Sequence, residues 1–387
     1  MKPPLLKTAR SAWRHLFGNN PPSLKTDSIH DWLKDALGSH AHNHQAPQAA
    51  SAPTPSAEGN GTSAETEYQP ANDVEARHGV FSFRQLTPKR LDCRFKAQSH
   101  KGSRDRDYRL FIPSNYQNGK AMPLVMVLHG CHQTNLDIAK IANLDQIAEQ
   151  EGFLVVYPFV SSYTGLRAKN CWAWWQPAQT RAGQGEVADL NGILDEVCEH
   201  YTVDSSRIHV AGLSSGAGMA VALMVTQSER IASGCAVAGV AYGESAQAVQ
   251  LFQPIPTQYR PVAKLVKTME AQMPAAKTPV PLMIVHSRDD EVVPIKAAKN
   301  LRDSWAACFG ISLHRKARVE SGQTGASGWR FARYRGQSPR QHIETWWLDG
   351  PGHGWYGGKT GKFSYPNALN VSQRMWHFFK HHHITGQ

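Results

Sequence analysis

Ser214 stands in Gly212-Leu213-Ser214-Ser215-Gly216, between the apolar run Arg207–Ala211 and the small-residue segment Ala217–Met224. Strand, tight turn carrying Gly-x-Ser-x-Gly, then helix is the context in which a serine hydroxyl is exposed as a nucleophile. The hydroxyl is weak by itself and needs a histidine base, which a carboxylate holds in the right tautomer. In this arrangement the acid and then the histidine follow the serine along the chain. The run Leu282–Val285 opens into His286-Ser287-Arg288-Asp289-Asp290-Glu291-Val292-Val293, which offers Asp289, Asp290 and Glu291 as the acid. Further on, Trp346-Trp347-Leu348 leads into Asp349-Gly350-Pro351-Gly352-His353-Gly354, and the glycine-flanked His353 is read as the base.

An acyl-transfer intermediate also needs donors for its oxyanion. The amide of Ser215, which follows the nucleophile, is one candidate. Leu128-His129-Gly130-Cys131 closes an earlier apolar run, and the Cys131 amide is the second; the competing reading is that His129 merely packs or caps the strand end. Aromatic residues crowd two loops near this constellation: Tyr163, Trp172, Trp174 and Trp175, and Trp355 with Tyr356. Trp172, Trp174 and Trp355 are candidate substrate contacts, with core packing as the alternative for the first two. The chemistry requires no metal and no organic cofactor. A His40, His42 and His44 cluster could catch a metal, but it sits in a segment with little to bury.

The elements that must position these residues follow from the hydropathy pattern. Apolar runs at 123–128, 153–159, 207–211, 232–241, 280–286 and 342–348 alternate with helical segments at 135–151, 186–200, 295–309 and 367–382. Segments 91–99 and 107–113 read as an antiparallel edge. This alternation predicts an α/β fold, a mostly parallel sheet with helices on both faces. Ligands of such sheets bind at the carboxyl ends of the strands, where Ser214, the acidic loop and His353 all fall. Residues 1–38 hold two short amphipathic stretches, residues 39–79 read as a disordered linker rich in Ala, Ser, Pro and Gly, and residues 80–387 form the catalytic domain.

Among 387 residues the formal net charge is +11. Residues 1–80 hold seven Lys/Arg against eight Asp/Glu, so the remainder carries +12. That excess suits anionic partners, yet no Lys/Arg stripe interleaves with aromatics, and nucleic-acid binding is not expected. No apolar run approaches the roughly 18 residues of a spanning helix, so no transmembrane segment is expected. The start, Met1-Lys2-Pro3-Pro4-Leu5-Leu6-Lys7, is a poor secretory signal, which reads as cytoplasmic. The six cysteines make no zinc spacing. Cys131 and Cys171 fall in loops near the site, and a disulfide between them is left open. The pattern does not address the oligomeric state.

These motifs, taken in order, resemble the α/β-hydrolase esterases grouped with poly(3-hydroxybutyrate) depolymerases, over roughly residues 105–380. Pro123–Gln133 resembles the family's oxyanion strand and His-Gly-Cys turn. Asn170–Trp175 resembles its Cys-Trp loop, with Ala173 and Trp175 where Asn and Phe are expected. His286–Val293 is similar to the His-Gly-x-x-Asp-x-x-Val segment, with Ser287 in place of Gly; that register selects Asp290 as the acid. Gly352–Gly358 resembles the turn that carries the family's histidine. The resemblance implies a serine esterase acting on 3-hydroxybutyrate polymer or oligomers. The alternatives are a feruloyl or acetyl carbohydrate esterase, and a catalytically inactive polyester-granule-binding protein. It also implies an extracellular alternative for the location, because many relatives are exported.

Overall fold

The computed structural model describes residues 87–161, 169–249 and 257–384. The two amphipathic stretches, the linker, the His40–His44 cluster and Tyr163 therefore lie outside the described residues. Within them one ten-stranded sheet organises the chain.

Six parallel strands make its centre: β3 (Met122–Leu128), β4 (Leu154–Pro158), β5 (Val203–Leu213), β6 (Ser233–Val237), β7 (Leu282–Ser287) and β10 (His342–Asp349). They are flanked by β1 (Lys89–Phe95) and β2 (Arg106–Ile112) on one side, and by β8 (Lys316–Thr324) and β9 (Ser327–Arg335) on the other. The order is β1-β2-β4-β3-β5-β6-β7-β10-β9-β8, with the four outer strands antiparallel to their neighbours. Parallel strands covered on both faces need apolar side chains in both directions, and all seven residues of β3 are buried. Leu124, Met126 and Leu128 enter one core, Val125 and Val127 the other, as the period of two requires.

The first core packs against α4 (Gly185–His200), α5 (Ser215–Thr226), α6 (Val262–Glu270) and α7 (Ile295–Cys308). The second packs against α1 (Asn135–Ala142), α2 (Leu144–Glu151) and α8 (Val371–Phe379). A short α3 (Pro177–Thr180) precedes α4. The segment read as one helix over 135–151 is two: Asn143 adopts φ 50°, ψ 33° and ends α1 as it begins α2. Every residue of α5, Ser-Gly-Ala-Gly-Met-Ala-Val-Ala-Leu-Met-Val-Thr, is buried. That is why it carries no polar face.

The core also holds neutral histidines. Burial pushes the imidazole of His129 down to about 4 and that of His209 to about 3. An unfolded chain protonates its histidines near 6.5. Between pH 6.5 and 4 the unfolded state therefore takes up protons that the native state refuses, and stability falls with pH. For His129 alone the loss by pH 4 is roughly 3 kcal/mol. Urea unfolding at pH 7.5, 6 and 5 checks this: the midpoint should drop at each step, and a flat profile would show that these rings are not held neutral.

Candidate active site

β5 delivers Ser214 at its carboxyl end, and α5 begins one residue later. The chain reverses there only because Ser214 takes φ 57°, ψ −117°, a strained conformation for any residue with a Cβ. Its neighbours enforce the turn. The Ser214 N–H donates to Val237 O on β6 at 2.9 Å. A Cβ on Gly212 would lie 2.3 Å from the Gly216 backbone, and one on Gly216 would lie 2.4 Å from the carbonyl oxygens of Leu128 and His129. The two glycines thus let the elbow seat directly against the end of β3.

The candidate acid Asp290 stands on the loop after β7. Asp290 has a fully buried side chain. Its Oδ1 accepts the N–H groups of Val292 and Val293 at 2.9 and 2.7 Å, and its Oδ2 lies 2.7 Å from Nδ1 of His353. Burial alone would raise the carboxyl's pKa, but the charge and hydrogen bond of His353, with smaller help from His286 and the Val293 amide, hold it below the usual value. An ionised Asp290 can only accept, so Nδ1 of His353 carries the proton and Nε2 keeps a lone pair. The other two acid candidates are placed elsewhere: Asp289 Oδ2 accepts the Gly350 N–H at 2.6 Å, and Glu291 is exposed.

His353 rides on the loop after β10. Ser287, which stands where the family pattern has glycine, donates its hydroxyl to Pro351 O and accepts the Asp289 N–H at 3.1 Å. The departure from the pattern thus adds a tie between the acid loop and the histidine loop. Ser214 and His353 line one cleft with Gly130, Cys131, His132, Leu213, Val292 and Phe363. A wider cleft of ≈ 500 Å³ between the β1–β2 edge and α1–α2 contains none of the three candidate catalytic residues.

The Cys131 and Ser215 amides are the candidate oxyanion donors. Ser215 is the first residue of α5, so its N–H has no acceptor within the helix. For Cys131, the orientation follows from the peptide before it. Gly130 O is held by Nδ1 of the buried His129 at 2.8 Å and by the Gln133 N–H at 3.3 Å. A trans peptide points its C=O and the next N–H in opposite directions, so the Cys131 N–H faces away from those partners. His129 Nε2 accepts the Val160 N–H at 3.2 Å, which leaves the proton on Nδ1 to donate to Gly130. Val160 O in turn accepts from the buried Arg106, paired with Asp189 of α4 at 2.7 Å. His129 therefore does more than pack: it fixes the orientation of the Gly130–Cys131 peptide.

Cys131 and Cys171 form a disulfide, which joins this turn to the tryptophan loop. The substrate role read for the tryptophans is corrected. Trp172 and Trp355 are fully buried, one in each main core, and Trp355 Nε1 donates to Ser372 Oγ at 3.1 Å. Trp174, 5% exposed, packs with Val240, Val292, Val293 and Ala297. Large rings in these loops anchor them to the body instead of facing a ligand. Residues that sequence reasoning passed over are Gln133, whose Oε1 accepts the Gly130 N–H and whose Nε2 donates to Lys362 O, and the cleft-lining His132 and Phe363. His132 and Gln133 close the Pro123–Gln133 run, but nothing in spacing assigns a role to a side chain beside a turn.

The disulfide makes a prediction. Complete loss of one oxyanion donor typically costs roughly 10²–10³ in kcat. Reduction loosens Cys131 but leaves Gly130 held, so treatment with dithiothreitol, or Cys171→Ser, should lower kcat by about tenfold with little change in KM. Ester turnover with and without reductant checks it; an unchanged kcat would mean that the turn keeps its shape without the bridge.

A strained serine at a strand-to-helix turn, a buried acid–histidine pair and a sheet of this order together define an α/β-hydrolase fold. The family profile described as Esterase PHB depolymerase matches residues 106–324, and the chain belongs to that family. Similar curated proteins include poly(3-hydroxyalkanoate) depolymerase C of Paucimonas lemoignei, 32% identical over 120 residues, 31% of this chain and 28% of that protein. Acetylxylan esterase A of Emericella nidulans is 32% identical over 135 residues, 35% of this chain and 42% of that protein. Feruloyl esterase B of Neurospora crassa is 27% identical over 203 residues, 50% of this chain and 67% of that protein. The chain thus spans well under half the length of the first two. Among solved structures, an acetyl xylan esterase from Aspergillus awamori aligns with TM-score 0.55 at 19% identity, over 71% of this chain and 94% of that one, a likeness of fold.

Proposed function

We propose that the protein is a serine carboxylic ester hydrolase and that its substrates are polyesters or oligoesters of 3-hydroxy acids. The observation that carries the reading is the 2.7 Å contact between Asp290 and His353, set in the cleft that Ser214 shares. Ser214 Oγ attacks the ester carbonyl while His353 Nε2 takes its proton, and Asp290 stabilises the imidazolium. The amides of Cys131 and Ser215 hold the oxyanion, helped by the positive end of α5. His353 protonates the departing alcohol, then activates water to hydrolyse the acyl-enzyme. The chain's own residues supply every proton transfer in this sequence.

The polyester assignment draws on the family and on the printed name of the Paucimonas lemoignei relative. Feruloyl or acetyl esters of carbohydrates are the second reading, favoured by the names of the two fungal relatives. A kcat/KM panel over 3-hydroxybutyrate trimer, methyl ferulate and acetylated xylan separates them. The trimer should lead by at least about tenfold; a lead for either of the others overturns the polyester assignment, and no ester turnover at all overturns the class. We further propose an oxidising compartment, the extracellular alternative, because disulfides persist there and are rare where thiols are kept reduced.

A further inference from the structure

We propose that the cleft has a cationic rim, formed by Lys362 and Lys169 beside His132, that binds a carboxylate carried by the substrate. The inference rests on the ester-hydrolase reading above and narrows its substrate class to esters with a free carboxylate near the scissile bond.

His132 follows the oxyanion residue Cys131 and lines the cleft with Ser214 and His353. Its backbone takes φ 63°, which turns the residue out of the strand direction. Both residues bond its backbone, Lys362 through its ammonium and Lys169 through its carbonyl. The Lys362 ammonium donates to His132 O, and Lys169 O accepts the His132 N–H at 2.5 Å. Lys362 is exposed, and among the described residues no carboxylate lies within ion-pair range of it. An ammonium has three donors; one is used on His132, and two remain for a ligand at the cleft mouth. Lys169 is half-buried.

The support beneath these groups is rigid. The Cys131–Cys171 disulfide ties their two loops together, and Asn170 Nδ2 donates to Gln133 O at 3.2 Å. The buried Gln133 reaches the third loop through Lys362 O at 2.8 Å. The charges also register on the His132 ring: burial first, then Lys169 and Lys362, push the imidazole down to about 4, so it stays neutral near two cations. The two aspartates of the loop after β7 are committed, Asp290 to His353 and Asp289 to Gly350. The body's excess of positive charge adds long-range attraction for an anionic ester. A half-ester of a dicarboxylic acid fits this chemistry, since its acyl chain ends in a carboxylate.

The test compares 4-nitrophenyl valerate with mono(4-nitrophenyl) glutarate, an acyl chain of the same length ending in a carboxylate, at 20 mM and 500 mM NaCl. At low salt the wild type should favour the glutarate ester by about fivefold or more in kcat/KM, and screening at high salt should bring the ratio near one. Lys362→Gln and Lys169→Gln should each lower the low-salt ratio several-fold. A wild-type ratio at or below one, or a ratio that Lys362→Gln leaves unchanged, overturns the rim. If neither ester is turned over, the hydrolase reading fails, and calorimetric titration of Ser214→Ala with the glutarate ester still decides the rim. Salt-sensitive binding that weakens in Ser214→Ala/Lys362→Gln supports it; no binding, or binding indifferent to salt and to Lys362, overturns it.

Discussion

Ser214→Ala is expected to lower kcat on an activated ester by roughly a million-fold, the scale on which removal of a triad serine acts. No neighbour can replace the lost oxygen. Ser215 Oγ is buried in the first turn of α5. What survives is the rate that the oxyanion donors and binding give to attack by water. KM should change little, because Ser214 Oγ is asked to act only as the bond forms. Stopped assays with 4-nitrophenyl butyrate, paired with fluorophosphonate labelling, check this. Wild-type turnover in the purified variant would remove Ser214 from the chemistry.

Asp290→Asn is expected to cost about 10⁴ in kcat without unfolding the protein. The argument is one of donors and acceptors. Val292 and Val293 both present N–H groups to Oδ1. The asparagine must therefore put its oxygen there and its NH₂ where Oδ2 stood, facing Nδ1 of His353. A donor at that place forces the imidazole proton onto Nε2, the atom that has to accept from Ser214. Asp289→Asn is the companion variant: Asp289 accepts the Gly350 N–H, which an amide oxygen can also do, and the loss should stay within about tenfold. Equal losses in the two variants would mean that the acid's part is to hold the loop and not the tautomer.

The central strands were legible because burial on both faces leaves nothing but apolar residues, as in Met122–Leu128 and Leu282–Val285. The outer hairpin β8–β9 was not. Lys316–Thr324 reads Lys-Ala-Arg-Val-Glu-Ser-Gly-Gln-Thr and is exposed along most of its length, so no alternation marks it as a strand. Helix α6, nine residues with only Leu265 and Met269 buried, was too short to announce itself. The break at Asn143 escaped notice because apolar periodicity continues through it, and only the backbone angle separates α1 from α2. At the site, chain order isolated Ser214 and His353. Choosing among Asp289, Asp290 and Glu291 needed the family register, since adjacent carboxylates in one loop differ only in which way the loop turns them. The tryptophans misled because an aromatic side chain near a cleft has the same composition whether it faces inward or outward.

The backbone of Ser214 carries a further consequence. A residue with a Cβ at φ 57°, ψ −117° costs on the order of 1–3 kcal/mol, which glycine would largely recover. The protein therefore keeps a hydroxyl at this position at the expense of its own folding equilibrium. A screen that ranks variants by melting temperature alone would reward glycine at this position and, on the proposed mechanism, return a sturdier protein without its nucleophile. Selection for thermal robustness in this scaffold should be run with turnover in the same assay.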